Sequence, residues 1–121
     1  MAQQKHAFLI MAGKDRVARL YHGLVYAKQA FVRGDISKLW FVAEGACWPA
    51  ELINSQHNCH DLYQFLLDKK VIQGVCNNCA VAFGQEETAR NSCGLVTGPE
   101  QSMGQIDVLG LEDDGYRVWN F

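Results

Sequence analysis

Two cysteines three residues apart, Cys76 and Cys79, enclose a pair of asparagines in the run Val75 to Gly84 (VCNNCAVAFG). Thiol chemistry runs through the thiolate, and backbone N–H groups at the start of a helix favour that charge. Asn77 and Asn78 are short and polar, and they suit a helix that begins between the two sulfurs. Cys76 closes an apolar run, Lys70 to Cys76, with the pattern of a strand. Its sulfur is therefore expected at the strand's carboxyl edge, ahead of the helix, with Cys79 as a secondary thiol that resolves an oxidised or persulfidated Cys76. The plainer reading of the same motif is two packed cysteines acting as small apolar side chains.

The chain carries five cysteines; the others are Cys47, Cys59 and Cys93. An odd count with no leader-like apolar segment fits reduced thiols and a cytoplasmic location rather than a disulfide framework. A zinc site would need more ligands, and His57, Cys59 and His60 are the nearest in type. With no second CxxC and no HxxxH, no metal is expected. Cys47 can approach Cys76 across the edge of a sheet, although a packed thiol is the simpler role. Glu44 follows a buried strand and is a candidate general base or cation partner. Gly13-Lys14 lacks the glycine spacing of a phosphate loop, so no nucleotide cofactor is expected.

Strands and helices must alternate to place these residues. His6 to Ala12 is a short apolar strand. A helix follows over Asp15 to Arg33, with Val17, Leu20, Tyr21, Leu24, Ala27 and Phe31 at helical spacing and Gly34 as its C-cap. Lys38 to Ala43 reads as a strand buried on both faces. Short helices are expected at Trp48 to Asn54, Cys59 to Asp68, Asn77 to Phe83 and Glu86 to Arg90. A weak strand lies at Leu95 to Thr97, a loop at Pro99 to Gly104 and a helix at Gln105 to Asp114. Tyr116 to Phe121 closes the chain as a strand. The pattern predicts one α/β domain over residues 1–121. Its expected form is a three-layer sandwich around a mainly parallel five-stranded sheet, Rossmann-like or flavodoxin-like. In such sheets ligands meet the carboxyl ends of the strands. That edge gathers Gly13 and Lys14, Glu44 to Trp48, Cys76 to Cys79 and Thr97 to Met103.

The composition agrees with a folded domain: 121 residues, 49% hydrophobic and 20% charged. A net charge of −2, from 11 basic and 13 acidic residues, gives no electrostatic reason to bind nucleic acid or an anionic membrane. The apolar run Ala7 to Ala12 is far too short to span a bilayer. Trp40, Trp48, Trp119 and Phe121 are more aromatic surface than a small sheet readily hides, which favours self-association.

Over nearly its whole length the chain resembles the DsrE/DsrF-like family of sulfur-relay proteins. The resemblance rests on Leu39 to Gly45 (LWFVAEG), on Val75 to Gly84 (VCNNCAVAFG) and on the closing Gly115 to Phe121 (GYRVWNF). Cys76 matches the family's sulfur-carrying cysteine and Cys79 its optional second one. Members often carry arginine just before the closing glycine, where this chain has Ala82 and Phe83. The resemblance implies an α/β fold, a homo-oligomer (trimer or hexamer), no organic cofactor, and persulfide exchange with sulfur donor and acceptor proteins. Two other functions fit the residues. One is a non-catalytic module of the same fold that binds a small ligand or a protein. The other is a dithiol oxidoreductase cycling a Cys76–Cys79 disulfide.

Overall fold

Strand β1 (Lys5–Ile10), an inner strand of the sheet, alternates its side chains between two apolar faces. The computed structural model describes residues 2–121. After β1 come α1 (Val17–Arg33), β2 (Ile36–Phe41), α2 (Trp48–Leu52), α3 (His60–Asp68) and β3 (Ile72–Cys76). Then follow α4 (Asn77–Ala82), α5 (Glu86–Arg90), β4 (Leu95–Val96), α6 (Val108–Asp113) and β5 (Tyr116–Asn120). The strands form one sheet in the order β4-β3-β2-β1-β5, and every pairing is parallel. Parallel neighbours need crossovers, and the helices supply them.

On one face, Phe8, Ile10, Leu39, Phe41 and Val75 pack with Leu20, Leu24 and Ala27 of α1 and with Tyr63 and Leu66 of α3. On the other, Ala7, Leu9, Trp40, Val42 and Cys76 meet Ile106 and the inner side of α6, Val108 and Leu111. The result is the three-layer α/β sandwich that the alternation of elements predicts, with a sheet that is wholly rather than mainly parallel.

Helix α1 stops where glycine permits it. Gly34 takes the left-handed conformation at φ 96°, and its N–H bonds back to Phe31 O at 3.0 Å. Its start differs from expectation. Asp15 does not cap it; the Arg16 N–H bonds to Gly13 O at 3.0 Å, so residues 13–16 form a turn and the helix begins at Val17.

Beyond β2 the chain also departs from the expected strand. Ala43–Cys47 is a 3-10 turn, held by Val42 N–H on Ile10 O at 2.9 Å. Gly45 lies against that same carbonyl so closely that a methyl group there would sit 2.0 Å from the oxygen. Trp48 then fills the core, and its indole N–H donates to Ala12 O at 2.6 Å. Of the aromatics expected at an interface, Trp40 and Trp48 are buried in the monomer itself, whereas Trp119 is 42% exposed. Among the described residues no helix is long and apolar enough to cross a membrane.

The close approach of Gly45 to β1 makes a direct prediction. Gly45→Ala forces two backbone segments apart and is expected to cost about 1–3 kcal/mol, the usual range for overpacking. Urea unfolding should show a lower midpoint with an unchanged slope. A midpoint equal to that of the parent chain would contradict the packing described.

Candidate functional site

The carboxyl edge of the sheet brings four chain segments together. β3 ends on Cys76, and α4 starts at once with Asn77, so Cys79 falls in the first turn of that helix. The turn after β2 lies alongside, and the segment between β4 and α6 folds over from the other side. Gly98 closes that last segment on itself. A methyl group there would lie 1.6 Å from Gln105 O, so only glycine lets the two strands of the loop meet. Asn78 Nδ2 donates to Met103 O at 3.1 Å and ties the loop to α4.

Within this cup both thiols reach one oxygen. Cys76 Sγ donates to Gln105 Oε1 at 3.1 Å, and Cys79 Sγ approaches the same atom at 3.8 Å. The Ala43 N–H donates to Cys79 Sγ at 3.1 Å. Ala43 takes the left-handed region at φ 52°, where the chain leaves the strand direction, and its N–H points away from β1 because Val42 before it is extended with its own N–H on Ile10 O. Gln105 and Ala43 are the two participants that sequence reasoning does not find. Gln105 arrives through loop closure, for which Gly98 and Gly104 are the only sequence signals. Ala43 acts through its backbone, which leaves no mark in residue type.

The two cysteines take opposite positions from those expected. Cys76 has no exposed surface and packs with Leu9, Trp40, Val42 and Ile106, because the pleat of β3 turns its side chain onto the α6 face of the sheet. Cys79 is half-buried and is the sulfur nearer to solvent. Burial pushes its thiol above the ordinary value, the hydrogen bond with Cys76 adds to this, and the charges of Cys76 and Glu44 contribute less. The Ala43 N–H acts in the opposite direction without cancelling the rise.

The remaining candidates separate into near and far. Glu44 is exposed and close enough to act on Cys79, Asn78 is exposed, Asn77 is half-buried, and Cys47 is half-buried at the end of the 3-10 turn. Lys14 faces solvent and pairs loosely with Glu51 at 3.7 Å. Cys59 is buried beside α3, His57 Nδ1 accepts its N–H at 3.0 Å, and His60 donates to Leu52 O at 2.7 Å. Burial pushes the thiols of both Cys59 and Cys93 up. Among the described residues no three His, Cys, Asp or Glu side chains are grouped to hold a metal ion.

No protein-family model matches the chain. It is similar to the uncharacterized protein MJ0733 of Methanocaldococcus jannaschii, at 25% identity over 118 residues that cover 94% of this chain and 93% of that protein.

The geometry orders the thiols. A limiting alkylating agent should modify Cys79 well before Cys76, which reacts only on opening. Because the Cys79 thiol is raised, its thiolate fraction at pH 7 lies below that of a free cysteine, and its rate should keep climbing at pH values where an ordinary thiol has levelled off. Glu44→Gln removes a nearby negative charge and should move that midpoint down. First labelling at Cys76, or a Glu44→Gln midpoint that moves up, would contradict the site as drawn.

Proposed function

We propose that the protein is a sulfur carrier in which Cys79 accepts sulfane sulfur as a persulfide and Cys76 stands behind it. The observation that supports this reading is the convergence of a solvent-facing and a buried thiol on Gln105 Oε1. The resemblance of VCNNCAVAFG to the sulfur-relay motif supports the chemistry, with the exposed sulfur being the second of the pair.

The cycle balances without an external oxidant. The Cys79 thiolate attacks the terminal sulfur of a donor persulfide, the donor's S–S bond breaks, and the donor leaves as its thiolate. Cys79 then carries an S–SH group. An acceptor thiolate attacks that outer sulfur, and Cys79 leaves as thiolate. If no acceptor arrives, the Cys76 thiolate can attack the inner sulfur, giving a Cys76–Cys79 disulfide and expelling hydrosulfide. A thiol raised by burial reacts slowly with free reagents, so the design favours exchange with a docked partner whose own cations offset Glu44. A homo-oligomer and separate donor and acceptor proteins belong to the same proposal, as does a cytoplasmic setting in which the thiols stay reduced.

Incubation with glutathione persulfide, followed by intact-mass analysis, tests the assignment. Cys76→Ser should gain about 32 mass units, one sulfur; the parent chain should show that gain together with its resolved product, a Cys76–Cys79 disulfide about 2 mass units lighter than the dithiol; and Cys79→Ser should gain none. Retention of the added sulfur by Cys79→Ser and its loss in Cys76→Ser would reverse the carrier. No addition to Cys76→Ser or Cys79→Ser, with neither addition nor disulfide in the parent chain, would favour a module whose cysteines only pack.

A further inference from the structure

On the α1 face of the sheet, away from the thiols, a cleft of about 370 Å³ opens between α1 and β5. Aromatic rings run across it in an unbroken series. Tyr26 lies 5.7 Å from Phe121, Phe121 lies 6.4 Å from Phe8, Phe8 lies 6.0 Å from His6, and His6 lies 6.2 Å from Trp119, centroid to centroid. The inner members, Phe8 and His6, are buried, whereas Tyr26 and Trp119 at the two ends are each 42% exposed. The two exposed rings flank the cleft and present apolar surface at its mouth.

The polar groups of the cleft are oriented and electrically balanced. The Trp119 indole N–H can only donate, and it meets His6 Nδ1 at 3.1 Å. His6 therefore carries its proton on Nε2 and donates it to Asp35 Oδ2 at 3.0 Å. Arg33 also binds Asp35, through Nε at 2.9 Å and through Nη2, which leaves Nη1 without a partner among the described residues. The Arg33 guanidinium, then the Gln4 N–H, hold the Asp35 carboxyl down at about 2, so the pair is a neutral ion pair at any physiological pH. Gln29 lines the cleft one turn before Arg33 on the same side of α1. The cleft thus offers ring faces, hydrogen-bond donors and no net charge.

We propose that this cleft binds a neutral, planar heteroaromatic molecule, with its ring on the aromatic series and an acceptor atom turned to Gln29 and Arg33 Nη1. Stacking rewards a flat π-system, and the unpartnered donors reward a ring nitrogen or carbonyl oxygen. The compensated charge gives an anionic ligand no advantage. The site does not depend on the sulfur-carrier reading, since none of its residues touches either thiol.

The three tryptophans make the test direct, because each gives its own indole N–H signal in a ¹⁵N–¹H correlation spectrum. Adenine and 4-quinolone are the probes, with cyclohexanecarboxamide as a saturated control and 1-naphthoate as an anionic one. At least one probe should move the Trp119 signal saturably while those of Trp40 and Trp48 stay in place. Gln29→Ala, at an exposed position, should weaken that binding about fivefold, the worth of one hydrogen bond. Three results would overturn the proposal: no saturable shift with either probe up to about 10 mM, an equal shift with the saturated amide, or tighter binding of naphthoate than of both probes.

Discussion

The carbonyl of Ile10 ends β1, and two parts of the chain depend on where it points. It accepts the Val42 N–H at 2.9 Å, the last rung that joins β2 to β1, and it forms the surface on which Gly45 lies. A side chain at residue 45 would lift the turn by the width of a methyl group. With glycine there, the turn stays down, and Ala43 at its start donates its N–H to Cys79. The turn that lies against the end of β1 is thus the same one that supplies the hydrogen bond to a sulfur at the sheet's carboxyl edge.

The two faces of the sheet are unequal in depth. The α1 face is built from long side chains on three helices, each buried Leu or Phe contributing about 1.5–3 kcal/mol. The opposite face has one six-residue helix and a loop to cover Ala7, Leu9, Trp40 and Val42. Cys76 belongs to that thinner cluster and is covered completely within it, by Ile106 and the segment that carries Gln105. The aromatic cleft, by contrast, is cut into the thick face, where buried Phe8 and His6 give it a rigid floor.

The elements were legible because their apolar spacing is strong. The Leu20, Leu24, Ala27 and Ala30 stripe, the Gly34 stop and the run ending at Phe41 all report local geometry that one side chain can signal. What sequence could not convey was rotation and closure. Whether Cys76 or Cys79 faces solvent depends on the pleat of β3, which carries a register irregularity opposite Leu39 and Trp40; Gly74, at φ 141°, marks the place but does not say which way the next side chains turn. Trp40 and Trp48 suggested a sticky surface because their size was visible and their pockets were not. Gln105 lies 29 residues from Cys76, and the two meet only after the loop between β4 and α6 has folded over. The aromatic series is scattered in the sequence from residue 6 to residue 121, and only the pairing of β1 with β5 assembles it.

The loop that Gly98 closes has a consequence for time as well as space. It covers Cys76 with backbone contacts, the Asn78 tie and one glutamine, and with few buried apolar side chains of its own. Segments of that kind open far more often than the whole molecule unfolds. Cys76 is consequently a clock on its own lid: the rate at which its sulfur meets anything outside equals the chemical rate multiplied by the fraction of time the loop stands open. A substitution that tightens the loop slows the buried thiol without touching it, and the same substitution leaves Cys79 free to react at its own pace.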